Sequence, residues 1–368
     1  MDDVLPDLPR KGRGAVSNPT GRYEPATRHA IHDGWDLAWV TPSGVQGHDA
    51  PPLRTTVTEE VPRTAIAYND SPDIPFDRSL NPYRGCEHGC VYCYARPSHA
   101  RYGLSPGLDF ETRLFAKRGL AEVLTRDLAK PGYVVRPITL GGNTDPYQPI
   151  ERERRDTRHV LEVLERCEHP VVVITKSALV LRDLDILSAM AAKNLCAVAV
   201  SVTTLDRELA RRMEPRAATP RRRIETLAAL SAAGVPATVM AAPMIPFLND
   251  WELERILETS AGAGASEAGY VLLRLPLELK DLFREWLEAH VPGKARHVLN
   301  QLRESRDGQL YVSEFGERMR GSGTYADLLA DRFRLACRRF GLNRRDDRSL
   351  DCTRFRPPVP PGGQFSLF

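Results

Sequence analysis

The stretch "RGCEHGCVYCYAR", residues 84–96, sets Cys86, Cys90 and Cys93 in a C-x3-C-x2-C array. Gly85 and Gly89 let the backbone curl tightly enough for the three sulfurs to converge. Three convergent thiolates match three corners of a 4Fe–4S cubane. Such a cluster usually takes four protein cysteines, so this loop leaves one iron without a protein ligand, open to chelate a small molecule. The rival is a tetrahedral zinc site with His88 or His99 as fourth ligand. Common zinc spacings pair C-x2-C with a second distant pair, which this sequence lacks.

Outward from the loop, β-rich runs alternate with helical patterns, the signature of βα units around a parallel sheet. Strands are expected at 133–140, 170–175, 196–204, 236–245 and 269–275, with one more just before Cys86. Their near-continuous Val, Ile and Leu imply burial on both faces. Amphipathic helices at 153–166, 182–193, 219–233 and 250–263 have the length of crossovers. Six strands predict an α/β fold, a partial (β/α)6 barrel, whose chemistry lies at the C-terminal ends of the strands. The expected organisation is a basic, partly disordered N-terminal extension over 1–75, a core over 76–292, a helical C-terminal extension over 293–352 and a flexible tail over 353–368. Within the first segment, residues 10–19 read as a mobile basic arm, and Trp35 and Trp39 as docking points.

Of 368 residues, 42% are hydrophobic and 27% charged, as in soluble globular enzymes. The net charge is +3, and 44 of the 51 basic residues are arginine. Arg-dense stretches at 210–223 and 331–348 either track a nucleic-acid backbone or form solvated helix faces paired with nearby acids. Seven cysteines, an odd number, argue against a disulfide framework. The N-terminus has no apolar signal region, and the longest apolar run, 235–248, is short and broken by prolines. A cytoplasmic protein without membrane contact is expected.

"GCEHGCVYCYA", residues 85–95, resembles the signature of the radical S-adenosylmethionine (SAM) superfamily, with Tyr92 at the aromatic position before the last cysteine. It is particularly similar to the spore photoproduct lyase branch, whose loop also continues into Cys-Tyr, and the resemblance covers roughly 77–290. It implies a radical SAM barrel with a 4Fe–4S cluster on Cys86, Cys90 and Cys93, the unique iron binding SAM through its amino and carboxylate groups. A reductant such as flavodoxin or ferredoxin would supply the electron that cleaves SAM and generates a 5′-deoxyadenosyl radical. In "TLGGNTDPYQPIE" the resemblance assigns the methionine amino group to Gly141, Gly142, Asn143 and Thr144, with Asp145 behind them as an acceptor. Lys176, at the end of the next strand, matches a lysine near the SAM carboxylate. Ser201 and Thr203, two apart, point to one sheet face and suit the ribose. Arg274 ends the last strand, where it meets SAM, a substrate anion or a structural partner. Asn249 and Asp250 read as a helix cap.

The sequence departs from the lyase pattern in one respect. The lyase returns hydrogen through a further cysteine after its cluster loop, whereas here none occurs between Cys93 and Cys167. Tyr94, Tyr147 and Cys196 are the speculative donors in its place; Cys167, Cys337 and Cys352 read as small buried hydrophobes. The tail "QFSLF", 364–368, is similar to the short peptides that engage the bacterial sliding clamp, with Gln364 at the pocket rim and Leu367 and Phe368 filling the cleft. The leading expectation is a radical SAM enzyme acting on nucleic acid, in DNA repair. The alternatives are the same chemistry on RNA, peptide or a small molecule, and a metal-bearing nucleic-acid-binding protein without turnover.

Overall fold

The computed structural model describes residues 7–27, 40–41, 44–45, 53–344 and 349–358. Trp35, Trp39, Arg345, Arg348 and the tail residues Gln364, Leu367 and Phe368 lie outside the described residues. The strands that matter are β1 (Thr56–Glu60), β2 (Ala67–Tyr68), β3 (Arg78–Leu80), β4 (Tyr83–Arg84), β5 (Arg113–Lys117), β6 (Ile138–Leu140), β7 (Val171–Thr175), β8 (Cys196–Ser201), β9 (Ala237–Met244) and β10 (Glu267–Leu272). Seven of them form one sheet in the order β10-β9-β8-β7-β6-β3-β2, and three form a small sheet in the order β1-β5-β4.

In the large sheet β3 and β6 to β10 run parallel, and β2 adds antiparallel to the β3 edge. The two edges do not pair, so the barrel stays open. Parallel neighbours require crossovers, supplied by α1 (Leu120–Leu128), α2 (Asp156–Arg166), α3 (Leu184–Ala191), α5 (Pro220–Ala232) and α6 (Leu253–Gly262), with the short α4 (Arg207–Met213) ahead of α5. Each crossover turns an apolar stripe inward. Val160, Leu161 and Leu164 of α2 and Leu253, Ile256 and Leu257 of α6 are fully buried against the Val and Ile side chains of β7 to β9. Side chains of this size stabilise by about 1.5–3 kcal/mol each when removed from water.

Beyond β10 come α7 (Leu279–His290), α8 (Pro292–Glu304) and α9 (Gly323–Phe340). The last of these packs along α6, where Arg332 meets Glu254 at 2.7 Å and Tyr325 donates to Asp250 at 2.8 Å. Among the described residues no helix is long and apolar enough to cross a membrane.

Three expectations need correction. The strand expected over 133–140 shrinks to β6, because Val134 is exposed and its carbonyl accepts from the Arg78 guanidinium at 2.5 Å instead of joining a ladder. The helix expected from 153 is interrupted at Arg155, whose φ of 56° ends one short helix, Glu151–Arg154, before α2 begins. Most consequentially, residues 10–19 are no mobile arm. The Gly14 and Ala15 amides donate to the Glu111 carboxylate at 3.0 and 2.8 Å, and Arg13, Ala15, Val16 and Ser17 are buried. A Cβ on Gly14 would fall 1.8 Å from the Gly89 carbonyl oxygen, so a glycine is needed where this segment lies against the three-cysteine loop.

Candidate functional site

The loop 85–96 lies between the small sheet and the C-terminal ends of the large sheet's strands. It starts from β4, and the Cys86 amide is fixed at once to the Phe110 carbonyl at 2.9 Å. Gly85 and Gly89 take φ of 73° and 67°, as their place in the curl demands. The loop then folds on itself through short turns, Gly89 N to Cys86 O at 3.3 Å and Cys93 N to Cys90 O at 3.2 Å.

A residue to which sequence reasoning gave no role holds these turns. Arg96 is fully buried and spends its guanidinium on the carbonyls of Cys90 (2.8 Å), Gly89 (3.1 Å), Pro106 (3.2 Å) and Gly107 (2.9 Å), and on Glu111 at 2.5 Å. A planar fork of five fixed donors can hold four carbonyls and a carboxylate at once, more than the three donors of a lysine can. Gln148 pins the other side, accepting from the Glu87 amide at 2.9 Å and donating to the Gly85 carbonyl at 3.2 Å.

Cys86 and Cys90 are buried and Cys93 is half-buried. Burial pushes the Cys86 thiol well up, and Asp145 and the two other thiols add to it. The Cys90 thiol is likewise raised by burial, with Lys176 opposing. Cys86 is thus close enough to feel the other two thiols, and a lysine beside Cys90 favours the ionised form of that thiol. This donor set fits an iron–sulfur cluster, whose cysteine ligands are thiolates. Among the described residues no three His, Cys, Asp or Glu side chains form a single-ion metal site. The two histidines of the zinc reading are committed elsewhere. His88 faces Asp145 at 3.3 Å, and His99 bonds the Arg113 carbonyl at 2.9 Å within an aromatic group with Phe110 and Phe115.

The turn after β6 carries Gly141 to Asp145. Gly141 has φ of 87°, and a Cβ there would lie 2.2 Å from the Ile174 carbonyl oxygen, so its first constraint is the approach of β7. Asn143 is exposed, whereas Thr144 is buried and donates its hydroxyl to the Tyr83 carbonyl at 2.8 Å. Asp145 ties three segments together. It accepts from the Thr175 hydroxyl and the Lys176 amide, both at 2.7 Å, and faces His88 of the cysteine loop. Burial alone would raise its pKa, but His88 and these donors overcome it and hold the carboxyl at about 2. Lys176 places its ammonium 5.7 Å from the centre of the Tyr92 ring.

Tyr92, Ser201 and Thr203 meet a buried network. The Tyr92 hydroxyl donates to Glu214, and the Thr203 hydroxyl does so at 2.6 Å. Glu214 is paired with Arg223, which also donates to the Ser201 carbonyl at 3.1 Å. Thr203 lies beyond the end of β8 and is fully buried; Ser201, its last residue, is nearly so. Asn249, expected as a cap, turns inward instead, donating to the Thr203 carbonyl at 2.6 Å and accepting from the Ile245 amide at 2.7 Å. Asp250 accepts from Tyr325 rather than capping a helix.

Of the three speculative hydrogen donors, only Tyr94 borders the loop with its ring open, 46% exposed and 5.2 Å from the Arg274 guanidinium. Tyr147 is buried on Asp183 at 3.0 Å. Cys196 opens β8 opposite Val171, the first residue of β7, so it sits at the far end of the barrel, bonded to the Leu187 carbonyl at 3.0 Å. Cys167 and Cys337 are buried as expected, while Cys352 is half-buried. Among the described residues the 210–223 stretch is largely paired within the protein, Arg212 with Glu208, Arg221 and Arg222 with Glu225 and Arg223 with Glu214, whereas in the 331–348 stretch Arg332 pairs with Glu254 and Arg334 with Asp331.

Residues 80–259 match the Radical SAM superfamily, so the chain carries a radical SAM domain. Within that class its fold is similar to that of spore photoproduct lyase. A point mutant of that enzyme superposes with a TM-score of 0.57 at 16% identity, covering 78% of this chain and 80% of the other. A form complexed with dinucleoside spore photoproduct gives 0.55 at 17% over the same shares. In sequence, an uncharacterized Mycobacterium tuberculosis protein is 36% identical over 216 residues, 58% of this chain and 64% of the relative's length. An uncharacterized Methanocaldococcus jannaschii protein is 28% identical over 222 residues, 60% of this chain and 79% of the relative. The chain thus spans less than two thirds of the mycobacterial relative's length.

Proposed function

We propose that the protein is a radical SAM enzyme acting on a nucleic-acid substrate, in a lyase-like repair reaction. The observation that carries the enzyme class is the placement of the Cys86, Cys90 and Cys93 loop at the C-terminal ends of parallel strands, tied through Asp145 to the glycine turn and faced by Lys176. Cys86, Cys90 and Cys93 would hold a 4Fe–4S cluster, and the turn Gly141, Gly142, Asn143 and Thr144, with Lys176 and the region of Ser201 and Thr203, would hold SAM. When bound and reduced by flavodoxin or ferredoxin, this pair supplies reductive cleavage of SAM and hydrogen abstraction by the deoxyadenosyl fragment.

The chain's own contribution is positional. Arg96, Glu111 and Gln148 fix the loop, Asp145 couples it to the ends of β6 and β7, and Lys176 brings a positive charge where a carboxylate can be received. The nucleic-acid reading draws on the likeness in fold to an enzyme crystallised with a dinucleoside photoproduct and on the clamp-peptide-like sequence 364–368. Anaerobic reconstitution with iron and sulfide, reduction, and assay for 5′-deoxyadenosine tests the enzyme class. Formation dependent on all three cysteines is expected, and its absence from fully loaded protein would overturn the reading.

A further inference from the structure

Two arginines at the mouth of the barrel are handled differently from the other arginines of the site. Arg306, beyond α8 and fully buried, uses one guanidinium nitrogen on the Leu273 carbonyl at 2.6 Å. Its Nε and Nη1 are buried with no hydrogen-bond partner among the described residues. Arg274, next in the chain to Leu273 and half-buried, has a buried Nε that is likewise without a partner among the described residues, and its Nη1 reaches the Met319 sulfur at 3.0 Å. The two guanidiniums face each other's field. Burial, then Arg274, pushes Arg306 down to about 10, and only Tyr311 opposes. Asp73, an acid that feels the charge of Arg274, is already bound to Arg318 at 2.5 Å and to the Gly316 amide at 2.6 Å.

A guanidinium keeps its charge under all ordinary conditions, and a buried charge without a counter-ion is costly. The fully buried Arg306 and the half-buried Arg274 beside it, each with a buried donor atom unspent, form the complement of an oxyanion, which an arginine fork binds in bidentate fashion. Their position says which molecule brings it. Leu273 and Arg274 follow β10 at the C-terminal ends of the strands, and Arg274 stacks on Tyr94, the neighbour of Cys93. Both arginines lie outside the matched segment 80–259, whereas Lys176, the group suited to the SAM carboxylate, lies inside it.

We propose that Arg306 and Arg274 form an oxyanion subsite that takes a phosphate group of the substrate beside the cysteine loop. This rests on the nucleic-acid reading above and narrows it: the substrate enters with a backbone or terminal phosphate against the C-terminal extension.

The test uses the full, anaerobically reconstituted chain with inorganic phosphate and the dinucleotide TpT as probes, compared with thymidine. Wild type is expected to bind phosphate and TpT saturably by calorimetry, with thymidine at least tenfold weaker than TpT. R306M and R274M are each expected to weaken both phosphate-bearing probes at least tenfold, and R306K less than R306M. In phosphate-free buffer R306M should melt no lower than wild type, since it removes an unpaired buried charge. SAM affinity, measured separately, should change less than twofold in R306M. Equal phosphate binding by wild type and R306M would overturn the proposal, as would loss of SAM affinity with phosphate binding intact, which would assign the pair to the SAM carboxylate. Arginine-dependent phosphate binding in a protein that makes no 5′-deoxyadenosine would keep the subsite and sink the enzyme reading alone.

Discussion

Two sides of the barrel mouth bury positive charge in opposite ways. Among the described residues the buried arginines around the cysteine loop are matched: Arg13 by the Glu111 and Leu53 carbonyls, Arg96 by Glu111 and four carbonyls, Arg223 by Glu214 and the Ser201 and Ala218 carbonyls. At the end of β10, Arg306 and Arg274 keep donor atoms unspent. A region whose charges are satisfied internally is complete before any ligand arrives, so it can hold a cofactor loop in fixed geometry. A region with unspent charge awaits a ligand to complete it. The end of the sheet where β7 begins shows a third solution. There His169 is buried neutral, its Nδ1 donating to the Pro170 carbonyl and its Nε2 accepting from Tyr133, both at 2.9 Å.

The comparison breaks most directly at Arg96. Arg96→Ala leaves Glu111 buried without its cation and frees four carbonyls, and should cost about 3–5 kcal/mol. Chemical denaturation should show that loss together with reduced iron retention, whereas R306M shows neither. A stability loss in R306M as large as in R96A would erase the distinction between the two sides.

The neutral histidine gives the next effect. Burial lowers the His169 pKa from 6.5 to about 4, so the unfolded chain takes up the proton first as pH falls. Its contribution is therefore complete above pH 6.5 and is lost between about 6.5 and 4, amounting to about 3 kcal/mol. Urea midpoints across that range should fall in wild type and flatten in His169→Gln. The corresponding loss from Asp145 lies lower, between 3.8 and about 2. If both proteins track each other from pH 7 to 4, the neutral-burial account of His169 fails.

Gln148→Ala should cost about 1–2 kcal/mol, by leaving the Glu87 amide and the Gly85 carbonyl without partners. Its signature is lower iron content at unchanged global fold, read by iron assay and circular dichroism. The smallest effect on the folded protein belongs to the tail. Deleting 364–368 should leave the melting temperature within about 0.5 kcal/mol equivalent of wild type, while abolishing binding to a bacterial sliding clamp in a pull-down. Unchanged clamp binding would remove the tail from the nucleic-acid argument.

Periodicity made much of this molecule legible in the sequence. The apolar runs of β7 and β8 and the apolar stripes of the crossovers report burial directly, whereas β10, expected to be buried on both faces, is half-buried at every residue but Leu272. The strand near Cys86 was harder. It divides into β3 in the large sheet and β4 in the small one, and β1, in "TVTEE", which pairs with the far side of β5 from β4, lies in a segment without sustained pattern. In the site, the spacing of Cys86, Cys90 and Cys93 marked the loop. The groups that hold it did not stand out, because Arg96, Glu111, Gln148 and Glu214 come from separate segments of the chain and act through burial, which no local pattern announces. Arg96 even lay inside the decisive stretch. Lone polar residues declare such roles only once the fold has removed them from water. Gly141 shows the converse: a glycine expected to make room for a ligand is first required by the neighbouring strand.

The central claim is that the loop 86–93 holds a cluster with one iron left for SAM. The direct measurement is electron paramagnetic resonance of the anaerobically reconstituted, reduced protein, titrated with SAM and accompanied by metal analysis. Four irons per chain and a cluster signal that changes with SAM, both lost in Cys90→Ala, are the predicted result. One zinc per chain, or an iron signal indifferent to SAM, would contradict it.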